Sequence, residues 1–169
     1  IRELEAIALE DDLTGLMNRR GLYDQLRRII SLGERYGIGA ALVYVDLDRF
    51  KAVNDRHGHA IGDQILVEVA RRIRASIRRS DFAGRLGGDE FLAVLSEADQ
   101  AAVEAKAETI RAQIEDRPVL SGALPIEVGA SVGVAVIEPG DDVDAVVTRA
   151  DRDMFRTKRG RKDEPQPAT

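Results

Sequence analysis

The 169-residue chain has no cysteine. That excludes disulfides and thiolate metal sites, and it fits a reducing, cytoplasmic setting. It also lacks any apolar run long enough to span a membrane and any signal-peptide pattern, so direct membrane insertion is not expected. An excess of positive charge is missing too: the net charge is −5, which argues against nucleic acid as a partner. There is no internal repeat and no low-complexity segment.

What is present is the composition of a globular domain, 44% hydrophobic and 33% charged, in one unit long enough to bury a sizeable core. Local basic clusters, Arg71-Arg72 and Lys158 to Lys162, offer places for a small phosphorylated ligand. The chain opens at Ile1 without a methionine, and we read it as a piece of a longer protein. Residues 1–10, with Ile1, Leu4 and Ala8 on one side, read as the tail of an upstream linker or signalling helix, either coiled-coil or plain packing helix. Residues 11–162 form the domain, and 163–169, with two prolines and no apolar anchor, a flexible tail.

Apolar spacing orders the elements. Leu22, Leu26, Ile29 and Leu32 mark a helix that Asn18 caps. Ala40 to Val45 is a continuous apolar run, read as a buried central strand ending at Asp46. Phe50 to His57 is a short helical turn closed by Gly58, and Ile61, Ile65, Val69, Ile73 and Ile77 stripe a long helix. Phe82–Leu86 and Phe91–Leu95 form a hairpin around a glycine turn. Val103, Ala107, Ile110 and Ile114 give another helix; Ile126–Val128 and Ser131–Ile137 read as strands; Val143, Val147, Ala150 and Met154 stripe the last helix. This order predicts an α+β, ferredoxin-like sandwich with an extra hairpin and with helices on one face of a mixed sheet.

The chemistry concentrates in a few strings. Arg85-Leu86-Gly87-Gly88-Asp89-Glu90 puts two glycines and adjacent carboxylates on a tight turn at the mouth of the sheet. Adjacent carboxylates need positive charge between them, which points to a divalent metal and phosphate chemistry. Asp46 stands at the end of the central strand, where an aspartate can also simply cap the following turn. Combined with Asp89 and Glu90 it makes a carboxylate set able to share one or two Mg²⁺ ions.

These strings, with Phe50-Lys51-Ala52-Val53-Asn54-Asp55 and Gly58-His59-Ala60-Ile61-Gly62-Asp63, resemble the GGDEF family, the diguanylate cyclases, over about residues 11–161. The resemblance implies a palm-like βαββαβ core, as in nucleotidyl cyclases and polymerases. It implies Mg²⁺ (or Mn²⁺) held by Asp46, the backbone carbonyl of Leu47 and Asp89. Either Asp89 or Glu90 would serve as base, Glu90 being alternatively a supporting ligand, and Lys51 would neutralise charge growing on the phosphates. Phe50, Lys51, Asn54, His59 and Asp63 would contact GTP, with Asn54 and Asp63 on the guanine. A carboxylate accepts from guanine N1–H and N2–H, donors adenine does not present. For His59, bonding to backbone at a helix start is an equal reading, and Asp55 reads as a turn stabiliser.

Asp151 to Arg161 resembles the family's AD…Y.AK..GR segment, so Lys158 and Arg161 are expected on the triphosphate. Arg161 follows Lys158 by three residues, one fewer than usual. Asp11 to Arg20 resembles the DxLTGLxNR turn that joins an input helix to the domain, and is chiefly structural. Arg78 and Asp81 fit the RxxD inhibitory site for the product, cyclic di-GMP, while Thr109 replaces a secondary arginine that Arg111 lies near. The implied activity is condensation of two GTP into cyclic di-GMP at a homodimer interface, under an input or sensor domain outside this chain. The alternatives are a catalytically silent domain that binds GTP or cyclic di-GMP and, ranked below it, a dimerising scaffold.

Overall fold

Strand β1 (Ala40–Asp48) is the spine of the molecule and is buried on both faces. The computed structural model describes residues 9–162, so the readings of residues 1–8 and 163–169 lie outside the described residues. β1 pairs antiparallel with β3 (Glu90–Ser96) on one side and with β6 (Gly129–Val136) on the other. β2 (Phe82–Gly87) pairs with β3, giving the order β2-β3-β1-β6.

Alternation along β1 divides the core in two. Ala41, Val43, Val45 and Leu47 pack with the apolar stripes of α3 (His59–Ser76) and α4 (Gln100–Glu115). Leu42 and Tyr44 pack with those of α1 (Arg19–Tyr36) and α5 (Val143–Lys162). The α+β sandwich is therefore as expected, with two corrections. Among the described residues every strand pair is antiparallel rather than mixed, and helices cover both faces rather than one. A continuous apolar run in the centre of a sheet requires this, because either face left open would expose valine and leucine to water.

Local signals set the ends of the helices. Asn18 Oδ1 accepts from Gly21 N at 3.0 Å and caps α1, which stops at Gly37 in the left-handed region (φ 68°). Gly58 (φ 89°) ends α2 (Phe50–His57) and starts α3, so one residue turns the chain between the two motif-bearing helices. Ile77 falls just outside α3, as an extended cap. The extra hairpin is β4 (Val119–Ser121) with β5 (Leu124–Ile126), turned at Gly122. The strand expected over Ile126–Val128 thus begins earlier and keeps only Ile126, because a three-residue strand shows no alternation to read.

Candidate active site

β1 runs two residues past Asp46, and its register sets Asp46 directly opposite Glu90. Both carboxylates share the sheet face of Leu42, Tyr44 and Leu92, the face that α5 covers. Asp89 follows the two turn glycines, and its carbonyl accepts from Leu47 N at 3.2 Å. The Leu47 side chain is buried in the core, so only its backbone can serve a ligand. From α5, Lys158 Nζ reaches Asp46 Oδ2 at 2.7 Å.

That reach depends on Gly133 of β6. A Cβ there would stand 2.0 Å from Met154 N and 2.3 Å from Ala150 O, so glycine lets α5 lie on the strand and carry Lys158, one turn on, over the carboxylates.

The electrostatics follow from this gathering. Burial and then the Asp46 charge hold the Asp89 carboxyl above its ordinary value. Glu90 is also raised, first by burial and further by Asp46, Asp89 and Asp151, against a lowering contact with the Tyr44 hydroxyl. Burial pulls Lys158 down, but its bond to Asp46 and the charges of Asp46, Asp48 and Asp89 outweigh that and leave it raised. The cluster has a surplus of negative charge with one ammonium already seated on Asp46.

Among the described residues no group of three or more acidic or histidine side chains converges as a closed metal cage. The donors offered are two carboxylates, Asp46 and Asp89, beside the backbone at Leu47. This fits Mg²⁺ or Mn²⁺ of the open kind, which takes one or two carboxylates and fills its remaining positions with water and phosphate oxygens.

The turn itself is clamped. Gly87 (φ 142°) and Gly88 (φ 52°) adopt backbone that favours glycine, and a register shift precedes them. Arg85 Nε and Nη2 donate to the Gly88 carbonyl at 3.0 and 2.8 Å, and Nη1 lies 3.4 Å from Asp11. Asp11 in turn accepts from Thr14 N and Oγ1, and Met17 exchanges backbone bonds with Ala83 and Arg85. The segment expected to be chiefly structural is thus bonded to the loop that carries Asp89. Arg85 had no assigned role in the sequence, because no spacing rule connects residues 74 apart.

The second motif group lies on α2 and α3. Lys51, His59 and Asp63 are exposed, and Phe50 and Asn54 are half-buried. Asn54 Oδ1 is itself buried, with no hydrogen-bond partner. It sits against Gly62: a Cβ at Gly62 would come within 1.8 Å of Asn54 Oδ1 and 3.3 Å of Phe50 Cζ. Gly62 is thus a packing requirement for Asn54, a role its place in the motif did not reveal. Asp63 lines a cleft of about 650 Å³ with Leu13, Val67 and Leu120.

The other predicted residues stand apart. Asp81, buried at the far end of β2 from the glycine turn, accepts from Arg78 N at 2.9 Å and Ser96 N at 3.1 Å, while Arg78 is exposed. Arg111 is engaged by Glu108 and Glu115 on its own helix. Arg71-Arg72 is not a phosphate patch. Arg71 is held by Glu68, and Arg72 is buried on the carbonyls of Ile114, Arg117 and Pro118. The Arg161 backbone belongs to α5, and its side chain lies outside the described residues.

Comparison with known proteins shows the family and the fold. The family model described as "Diguanylate cyclase, GGDEF domain" matches residues 8–164. The bifunctional diguanylate cyclase/cyclic di-GMP phosphodiesterase MucR of Pseudomonas aeruginosa is 40% identical over 93% of this chain and 23% of its own length. Among solved structures, the diguanylate cyclase SiaD of Pseudomonas aeruginosa, in complex with its activator SiaC, superposes with a TM-score of 0.89 at 36% identity, covering 94% of this chain and 61% of that one. The coiled coil and GGDEF domain of DgcB from Caulobacter crescentus, in complex with c-di-GMP, gives 0.88 at 31% identity, covering 94% and 85%. The chain spans from about a fifth to about half the length of the curated relatives it matches. With the glycine–acid turn, the Asp46 strand end and the Asn54–Gly62 helix pair all in place, this chain belongs to the GGDEF domain family of the diguanylate cyclases.

Proposed function

We propose that this domain is a working diguanylate cyclase, which condenses two GTP into cyclic di-GMP with release of two pyrophosphates. The observation that carries the reading is the meeting of Asp46, Asp89, Glu90 and Lys158 at one sheet end, a carboxylate cluster with a single ammonium seated in it. In each half-reaction a 3′-oxygen attacks the α-phosphorus of the other GTP. The new P–O bond forms as the bond to the β-phosphate bridging oxygen breaks, and pyrophosphate leaves. The 3′-hydroxyl proton passes to a carboxylate, Asp89 or Glu90, both raised above their ordinary values and so better matched to accept it.

Asp46, Asp89 and the Leu47 carbonyl would hold Mg²⁺ or Mn²⁺, which when bound neutralises charge on the phosphates. Lys158, with Arg161, binds the triphosphate, and Lys51 at the start of α2 screens its outer charge. Asp63 and Asn54 read guanine, with the Asn54 side chain held in place against Gly62. Phe50 and His59 complete the proposed contacts to GTP.

One subunit holds one GTP, so a homodimer is part of the mechanism and the natural point of control by an input domain. The Asp11–Arg85–Gly88 connection offers that control a route to the catalytic turn. For product binding, Arg78 supplies the guanidinium, and Asp81, already bonded to two backbone amides, shapes the turn that presents it. Among the described residues no helix is long and apolar enough to cross a membrane.

The test is GTP turnover with Mg²⁺ at high protein concentration, with products separated chromatographically and an Asp89→Ala/Glu90→Ala control. Cyclic di-GMP from the parent alone supports the reading. Cyclic di-GMP binding without turnover in either protein replaces it with the silent-receptor reading.

A further inference from the structure

Lys158 is bonded to the carboxylate oxygen that a divalent cation would need. Its Nζ donates to Asp46 Oδ2 at 2.7 Å, and the two side chains are only 24% and 14% exposed. The pair is therefore sheltered from the solvent screening that weakens surface ion pairs. Its geometry is set by Gly133, which seats α5 on β6 and brings the lysine to a strand end 112 residues away. Asp48, two residues on and on the same face of β1, is engaged elsewhere and accepts from Ser131 Oγ at 2.7 Å.

On its other side Lys158 borders an open cleft of about 810 Å³, which Arg49, Arg56 and His57 also line. The flexible four-carbon stem can carry the ammonium off Asp46 and into that cleft. Asp46 Oδ2 cannot serve two cations. Mg²⁺ binds a carboxylate oxygen at about 2.1 Å, and an ammonium held at hydrogen-bond distance from the same atom would repel it strongly.

We propose that Lys158 is the internal counter-cation of the metal site: it holds Asp46 in the metal-free domain, is displaced when a divalent cation binds there, and is thereby released toward the cleft to meet phosphate. The proposal rests on the assignment of Asp46 as a metal ligand in the reading above. It adds that metal and triphosphate binding favour one another, because the first event frees the cation used by the second.

The probe is Mn²⁺ alone, without nucleotide, titrated into the chain and followed by loss of the free-ion electron paramagnetic resonance signal. Lys158→Met keeps the apolar stem and removes the ammonium, so it should bind Mn²⁺ about tenfold more tightly than the parent, with no internal cation left to displace. Arg159→Met is the control for overall charge. It removes one positive charge from the next residue of α5, whose guanidinium lies over the Phe155 ring at 5.0 Å, and affinity should stay within about twofold of the parent. A crystal structure of the parent with Mn²⁺ should show Lys158 Nζ away from Asp46.

The proposal is overturned by equal gains in the two variants, by no gain in Lys158→Met, or by Nζ still bonded to Asp46 beside the bound ion. Should Lys158→Met fail to fold, the Mn²⁺-bound parent structure decides the matter. Asp46→Asn tests the reading underneath. If that change leaves Mn²⁺ affinity intact, Asp46 is not a metal ligand and the proposal falls with the assignment. If affinity drops while Lys158→Met behaves as the parent does, the assignment stands and the displacement alone is wrong.

Discussion

Gly62→Ala separates stability from recognition in a single methyl group. Gly62 is the fourth residue of α3 and has ordinary helical backbone, so alanine is sterically welcome to the helix itself. The added Cβ, however, would stand 1.8 Å from Asn54 Oδ1 and 2.9 Å from its Cγ, where ordinary contact begins at 3.4 Å. What must yield is the end of a side chain, so the Asn54 amide swings out and the backbone stays. Alanine over glycine contributes up to about 1 kcal/mol to a helix. Release of an unpartnered buried oxygen to water recovers part of a penalty of about 1–3 kcal/mol. Adjustment of the Phe50 ring, 3.3 Å from the new methyl, offsets some of this.

The net expectation is a fold stabilised by about 1 kcal/mol, which in a domain of this size raises Tm by about 2–4 °C. Guanine recognition moves the other way. With Asn54 displaced, affinity for GTP falls about tenfold, the worth of one hydrogen bond to an otherwise unmet partner, while weak ATP binding is unchanged. Thermal unfolding and titration calorimetry with GTP and ATP measure both quantities. Asn54→Ala should reproduce the loss of affinity, and the double variant should add nothing to it. A destabilised Gly62→Ala protein would mean that the backbone moved instead. Undiminished GTP affinity would remove Asn54 from the binding site, and either result refutes the reasoning.

Gly133→Ala should act in the opposite sense, because its Cβ meets the backbone of α5 at 2.0 Å and no side chain can give way. A loss of about 3 kcal/mol or more in chemical denaturation is expected, together with a higher KM for GTP as Lys158 is carried off Asp46. Asp89→Asn should stabilise the metal-free domain at pH 7. A carboxyl raised in the folded state binds protons better there, so native stability falls as pH climbs above the ordinary value of 3.8, and an amide escapes that loss. The gain in Tm measured with a chelator present should disappear below that pH, and its absence at neutrality would mean that neither burial nor Asp46 burdens Asp89. Arg85→Lys, which keeps the charge but cannot fork onto the Gly88 carbonyl, should lower kcat by about tenfold with little change in nucleotide affinity. Unchanged turnover would show that the turn holds itself.

Much of the candidate site was legible in the one-dimensional pattern. The Ala40–Val45 run announced a central strand, the fourfold spacing from Ile61 announced α3, and the glycine–acid string announced a turn bearing carboxylates. These are local features, and local physics writes them: apolar periodicity, capping side chains and glycine's access to positive φ. The bounds of the extra hairpin's strands escaped because three-residue strands show no periodicity, and the two-sided covering of the sheet escaped because a single strand's composition does not say where its neighbours lie.

Sequence alone therefore determined which residues are the candidates to carry chemistry, their order along the chain and most of the elements on which they ride. Tertiary structure alone decided which of them meet. The register of β1 against β3 made Asp46 and Glu90 opposites, where a shift of one residue would have sent every one of those side chains to the other face. The close approach of α5 to Gly133 brought Lys158 onto Asp46, 112 residues away, and the fork of Arg85 joined the glycine turn to Asp11. Contacts of that separation are set by packing of whole elements rather than by neighbouring residues, which is why no motif spacing records them.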